Sequence, residues 1–227
     1  MQGYTQNAKR GFTQFGFKSD FGTREALFGI RVLTQRCQDV NVDVYACFVD
    51  YEKAFDTVLH GKLIQILRDV GLDDRDVRII SNLYWNQTAV VHVGQDMTDA
   101  VCISRGIRQG CVLSPLLFNL YSECIMAEAL EDLGAGVRIN GVIINNIRYA
   151  DDTVLLADNL EDLQAMLDVV ALHSSRMGLS LNPKKTKWMV SRKPRCGGSS
   201  VDDCFLNSGG VALERVGRFK YLGSHLS

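Results

Sequence analysis

The 227 residues predict an α+β fold built on a largely antiparallel sheet. Three observations carry that expectation. Residues 42–50, VDVYACFVD, form an almost unbroken β-branched and aromatic run. Two hairpin patterns follow each other further on, the first turning on Asn140-Gly141. Segments with apolar residues at helical spacing lie before, between and after these strands.

In chain order, residues 1–24 are rich in Gly, Thr, Gln and Phe and read as loop. Ala26, Leu27, Ile30, Leu33 and Thr34 then predict a helix over residues 24–39, with Thr23 as its N-cap. Residues 42–50 read as a central strand buried on both faces and ending at Asp50. Two helices, residues 58–70 and 74–85, are parted by Gly71, and Asp73 or Asp74 caps the second. Residues 88–93 and 99–103 alternate as a strand pair around Gly94. SRGIRQGCVLS, residues 104–114, is a Gly-punctuated loop, and Pro115 opens an apolar helix to about Leu133. VRINGVII and NNIRYADDTVLLA give the two hairpins, the second with a polar tip. Leu160, Leu163, Leu167, Val170 and Ala171 make one helical stripe, ended by Gly178. SLNPKKTKWMVS and GRFKYLGS read as short strands on either side of a Gly/Ser-rich loop over residues 192–210.

Composition excludes several classes. The apolar fraction is 46% and the charged fraction 22%, enough apolar residues for a sizeable core and too many for wholesale disorder. There is no run of 18 apolar residues to span a membrane, and residues 1–10 lack the apolar core of a signal peptide. An intracellular chain is the expectation, and the seven cysteines, odd in number and without a CxxC, fit reduced and buried thiols. Cys196, Cys204 and His225 match no zinc spacing. The formal charge is −1, but it hides two opposite patches. Residues 176–195 hold seven basic residues and no acid, whereas residues 150–170 hold six acids and no base.

The carboxylates are the most informative feature. Asp50 closes a buried strand, and Asp151 and Asp152 sit at a hairpin tip between apolar arms. Each alone is readable as ordinary turn chemistry. Together they match the need of two-metal phosphoryl transfer, in which carboxylates from separate strands converge on ions about 3.5–4 Å apart. Hard cations such as Mg²⁺ take oxygen ligands, so Asp suits them better than His or Cys.

FVDYEKAFD (48–56), RGIRQGCVLSPLLFNLY (105–121), YADD (149–152), GLSLNPKKTK (178–187) and FKYLGS (219–224) occur in that order. Together they resemble the successive motifs of reverse transcriptases from non-LTR (LINE-like) retrotransposons. QFGFKSDFGTREALF (14–28) is similar to the segment preceding the first catalytic motif of that family. The resemblance covers nearly the whole chain. It implies a polymerase right-hand palm, a ferredoxin- or RRM-like antiparallel sheet backed by helices, with partial fingers. The expected partners are an RNA template, a DNA primer and deoxynucleoside triphosphates, with two Mg²⁺ ions, or Mn²⁺ as substitute. A nuclear or cytoplasmic setting follows from that substrate; protein partners are not implied.

Residue by residue, the resemblance assigns metal binding to Asp50 and Asp151, with the carbonyl of Tyr51 as a backbone ligand. Asp152 completes the catalytic carboxylates. Phe55 matches the bulky gate under the sugar, which occupies the space of a 2′-hydroxyl. Gly106, Gln109 and Gly110 match the loop against the incoming nucleotide and template, and Arg108 adds a nucleic-acid contact. Lys185 is the better match for a general acid to the pyrophosphate, with Lys184 and Lys187 beside it for phosphates. Tyr221, Leu222 and Gly223 match the hairpin that grips the primer, although Tyr221 also reads as core.

The domain expectation is a partial-fingers lead-in over 1–40 and a palm with a fingers insertion over 41–191. A flexible loop (192–210) and a primer-grip hairpin (211–227), truncated before the thumb, follow. The family's basic fingers hairpin is not found upstream of QFGF, and Lys18 stands where Arg is frequent. A second expectation is therefore a catalytically inactive remnant that at most binds nucleic acid. A nucleotidyl cyclase on the same sheet is a third, opposed by the Gln109 loop and the primer-grip match.

Overall fold

The computed structural model describes residues 13–192 and 205–227. The chain opens with α1 (Thr23–Asp39), β1 (Val44–Val49), α2 (Ala54–Thr57), α3 (His60–Asp69) and α4 (Asp74–Tyr84). An exposed ribbon follows: β2 (Gln87–Ala89), β3 (His92–Val93), β4 (Asp96–Met97) and β5 (Val101–Ile103). Then come α5 (Ser114–Leu130), β6 (Val137–Ile139), β7 (Val142–Ile144), β8 (Asn146–Tyr149), β9 (Asp152–Ala157) and α6 (Leu160–Arg176). The remainder is β10 (Lys187–Ser191), β11 (Asn207–Ser208), β12 (Val211–Ala212), β13 (Glu214–Arg215), β14 (Phe219–Tyr221) and β15 (Ser224–Leu226).

Five strands make the main sheet, in the order β13-β10-β1-β9-β8. All pairs are antiparallel except β10 with β13. The unbroken apolar run of β1 is explained by its central place, because both its faces are covered. Cys47 and Val49 pack with Leu155 and Ala157 under α5 and α6. Val44, Ala46 and Phe48 pack with Val154, Leu156, α1 and the β14–β15 hairpin on the other face. A third cluster, around Tyr84, Phe118 and Tyr121, joins α3, α4 and the first half of α5.

Local chemistry accounts for several element ends. Asp73 caps α4, its side chain accepting from the Asp76 N–H at 2.8 Å. Past α6, Gly178 (φ 78°) donates to the Ser175 carbonyl and Leu179 to the Ser174 carbonyl, a Schellman ending. Asn140 and Gly141 turn the β6–β7 hairpin with positive φ at both positions.

Three expectations are corrected. Thr23 is not the N-cap of α1: Gly22 is, its N–H donating to Glu25 Oε2 at 2.7 Å, so Thr23 becomes the first helical residue. Helix α5 stops at Leu130, short of Leu133, and the chain turns into Gly134 with φ 61°. The predicted loop over residues 192–210 ends in structure, while residues 193–204 lie outside the described residues. Gly209 and Gly210, both at positive φ, turn the β11–β12 hairpin, and Leu206 is buried in the second core. Gln164 of α6 holds Asn207 by two hydrogen bonds of 2.9 Å. The sheet also reaches past residue 191, since β13 is its edge strand.

Candidate active site

Asp50 lies where β1 leaves the sheet. Its N–H donates to Thr186 Oγ1 at 3.2 Å, and its carbonyl accepts from the Asn182 N–H at 2.8 Å. Glu52 donates to the Ser180 carbonyl on the same side. Peptide groups alternate along an extended chain, so the carbonyl of Tyr51 points the opposite way, toward the β9 side. The last β1–β9 pair is Val49 with Thr153. Continuing that register sets Asp50 across from Asp152 and Tyr51 across from Asp151. The β8–β9 turn is tight, with Tyr149 paired to Asp152 and Ala150 at φ 57°. The register thus brings the end of β1 to the β8–β9 turn.

The electrostatics are those of carboxyls partly withdrawn from water, with neighbouring like charges adding to the effect. Burial raises the Asp151 carboxyl above its ordinary value, and the charge of Asp50 adds to this. Asp152 is pushed up to about 6 by burial first, then by Asp151 and Asp50. Asp50 Oδ1 is buried without a hydrogen-bond partner. Lys185 Nζ stands 4.0 Å from it, in ion-pair range but beyond a hydrogen bond. Among the described residues no three His, Cys, Asp or Glu side chains group closely enough to hold a metal ion by themselves. The donor set still fits a Mg²⁺-type cation. Such ions bind through one or two carboxylates plus substrate phosphates and water, not through all-protein cages. An orphaned Asp50 oxygen, the opposed Asp151 and the Tyr51 carbonyl supply that partial set.

A cleft of about 350 Å³ brings together Phe55, Arg108, Gln109 and Gly110, with Phe17 and Cys111. Phe55 is half-buried and stacks on Phe118, with ring centroids 4.4 Å apart. Gln109 Nε2 is 3.4 Å from Asp56 Oδ1. The Cys111 thiol is held below its ordinary value, chiefly by the Leu113 N–H at the start of α5. Gly106 is not in this lining. Its φ is 92°, and a Cβ there would sit 2.9 Å from the Asp56 carbonyl oxygen. It is a close-approach glycine that pins the loop to α2.

Of the residues expected to grip the primer, Tyr221 and Leu222 pack on the Phe48 face of the sheet. Tyr221 is buried, and its hydroxyl donates to the Asp152 carbonyl at 3.1 Å. Burial drives that hydroxyl's pKa up, with Asp152 and Asp151 adding to it. Its ring lies 5.5 Å from Phe48. Leu222 and Gly223, both at positive φ, form the turn of the β14–β15 hairpin. Lys184 and Lys185 are exposed in the turn that Asn182 organises, with Lys185 beside Asp50. Lys187 is differently placed: Nζ donates to Glu214 Oε2 at 2.6 Å and to the Lys184 carbonyl at 2.7 Å. It ties β10 to β13. Lys193, Arg195, Cys196 and Cys204 lie outside the described residues. Cys37, Cys47 and Cys124 are buried thiols, but Cys102 is exposed.

Four residues around the β8–β9 hairpin had no role read from the sequence. Arg148, only 1% exposed, is hydrogen-bonded to Glu123 at 2.6 Å and to Asn146 at 2.9 Å. A basic residue inside the apolar strand before YADD was its signal. Gln14, Gly16 and Asn119 meet behind the Ala150–Asp151 turn; the QFGF stretch signalled only two of them.

A five-stranded sheet with one carboxylate at the end of its central strand and two more at the neighbouring hairpin defines a right-hand polymerase palm. The model of the family described as reverse transcriptase (RNA-dependent DNA polymerase) matches residues 4–226, and the chain belongs to that family. A retrovirus-related Pol polyprotein from the type-1 retrotransposable element R2 of Popillia japonica is 33% identical over 172 residues, 75% of this chain and 22% of that protein. The RNA-directed DNA polymerase from mobile element jockey of Drosophila funebris is 24% identical over 214 residues, 92% of this chain and 22% of that protein. The chain thus spans about a fifth of the length of these curated relatives. Among solved structures, apo telomerase from Candida tropicalis truncated from its C-terminal domain shares the fold. The TM-score is 0.60 at 14% identity, over 82% of this chain and 37% of that one. The domain is thus a reverse transcriptase domain related to those of non-LTR retrotransposons, a family whose catalysis depends on metal. No helix among the described residues is long and apolar enough to cross a membrane.

Proposed function

We propose that the chain is the catalytic palm, with part of the fingers, of an RNA-directed DNA polymerase that extends a DNA primer with deoxynucleotides on an RNA template. The observation that carries this is the β1–β9 register, whose last pair, Val49 with Thr153, brings Asp50, the next residue, to the Asp151–Asp152 end of β9. Asp50, Asp151 and the Tyr51 carbonyl would hold two Mg²⁺ ions, or Mn²⁺ in their place. When bound, the ions lower the pKa of the primer 3′-hydroxyl and neutralise the triphosphate and its leaving pyrophosphate.

The chain's own groups do the rest. Phe55 closes the floor of the cleft against a 2′-hydroxyl. Gln109 and Gly110 border the base, and Arg108 offers a cation to nucleic acid at the rim. Lys185 stands beside Asp50, where it can protonate the departing pyrophosphate. Lys184 neutralises a phosphate. The β14–β15 hairpin, fixed to Asp152 through Tyr221, presents Leu222 and Gly223 to the primer end.

Primer extension tests this. The purified chain receives an RNA template, a DNA primer, deoxynucleotides and Mg²⁺ or Mn²⁺, beside Asp151→Asn. Template-dependent product lost in the variant is the expected result. A folded wild-type chain that makes none would instead be a non-catalytic domain that at most binds nucleic acid.

A further inference from the structure

We propose that Gln14 and Gly16 form a positioning clamp that sets the Ala150–Asp151 turn, and through it the affinity of the carboxylate site for divalent cations. This rests on the reading that Asp50 and Asp151 hold such cations. Ala150 sits at φ 57°, a left-handed conformation that is unfavourable for an alanine. Such a residue persists only when its surroundings over-determine it.

Here the surroundings are the chain before α1. Residues 13–15 lie along β8 as a parallel edge: Phe15 donates to the Arg148 carbonyl at 2.8 Å, and Arg148 donates to the Thr13 carbonyl at 2.6 Å. Between them the Gln14 side chain is only 3% exposed. Its Oε1 accepts from the Ala150 N–H at 3.2 Å and from the Gly16 N–H at 2.8 Å. Its Nε2 faces the Ala150 carbonyl at 3.5 Å. One amide therefore satisfies the peptide groups of a buried turn residue that water does not reach.

Gly16 completes the contact. A Cβ on it would lie 2.4 Å from the Ala150 nitrogen, so only glycine lets the two backbones meet. Asn119 Nδ2 donates to the Gly16 carbonyl at 2.7 Å and fastens the clamp to α5. Phe17, the next residue, lines the cleft with Phe55 and Gln109. The Tyr149–Asp152 pair closes the β8–β9 ladder without Gln14. Losing the clamp thus leaves the hairpin formed but frees Asp151, the turn residue, to swing away from Asp50.

The test is Mn²⁺ binding, read by electron paramagnetic resonance, to wild type, Gln14→Leu, Asp151→Asn and the remote core variant Leu33→Ala. Gln14→Leu keeps the size and removes the hydrogen bonds. We expect it to weaken Mn²⁺ binding about tenfold, the usual loss when a group supporting a metal ligand is removed. Leu33→Ala lowers the melting temperature but leaves Mn²⁺ affinity unchanged. Binding that needs Asp151 but ignores Gln14 overturns the clamp alone. Binding absent from wild type, or indifferent to Asp151→Asn, overturns the carboxylate-site reading and the clamp's role with it. If Gln14→Leu does not fold, amide exchange in the unsubstituted chain decides. An Ala150 N–H that is protected and gains protection with Mn²⁺ supports the proposal, and one that exchanges as freely as an exposed amide ends it.

Discussion

Asp152 gives the site a pH dependence of definite sign. Its carboxyl titrates at about 6 in the fold, against about 3.9 in an unfolded chain. A folded-state value raised above the unfolded one means that protonation favours the fold. The contribution is complete below about pH 4 and is lost as pH rises through about 6. In chelator, wild type therefore loses more melting temperature between about pH 5 and 8 than Asp152→Asn does, and Mn²⁺ at pH 8 recovers the difference. Parallel melting curves for the two proteins would show that burial and the neighbouring carboxylates do not raise the Asp152 carboxyl. Phe55 carries a second prediction. Phe55→Val opens the cleft floor and raises the use of ribonucleotides relative to deoxynucleotides by about tenfold or more. The ratio of the two kcat/KM values is the measure, because the stacking on Phe118 is lost for both substrates alike.

Among elements, the loop between β5 and α5 depends on one glycine. Gly106→Ala forces a side chain at φ 92° against the Asp56 backbone. The loss is expected to be about 2 kcal/mol or more, read from urea unfolding. The same loop is braced by His60 Nε2 on the Gly106 carbonyl at 2.7 Å and by the Ile107 N–H on the Phe55 carbonyl at 2.8 Å. Displacement of Gly106 therefore reaches Phe55. In the sequence this glycine belonged to a run that read as a nucleotide loop. Its actual constraint comes from a backbone fifty residues earlier, which no local pattern displays. The hairpins and the ending of α6 were legible because Asn-Gly turns and Schellman glycines act within a few residues.

For the whole molecule, a net charge of −1 makes nucleic-acid binding a matter of where charge is placed. Lys184 and Lys185 are exposed, with Lys185 beside Asp50, while Lys187 is paired with Glu214 across β10 and β13. Each cation that meets a phosphate contributes about 0.7–0.9 to the slope of log affinity against log salt. Lys184→Ala and Lys185→Ala should each flatten the slope for an RNA–DNA duplex by about that amount, and Lys187→Ala should leave it unchanged. Equal effects from all three would mean that the Lys187–Glu214 pair opens on binding.

The main helices, the buried central strand, the β6–β7 and β8–β9 hairpins and the motifs that name the family were readable in the chain before folding, whereas α2 and the short strands β11 to β13 were not. Periodicity, turn chemistry and motif spacing are local properties, and the carboxylates were identified from position along those elements. Other features arise only when distant segments are packed. The β1–β9 register sets Asp50 against the turn, and Gln14 meets Ala150 across 136 residues. Lys187 is claimed by Glu214, and Gly106 is wedged against Asp56. Whether a lysine is free for phosphate, or a glycine serves a ligand or its own backbone, depends on which groups lie within a few ångströms. That proximity is a product of sheet order and core packing, and so belongs to the folded molecule.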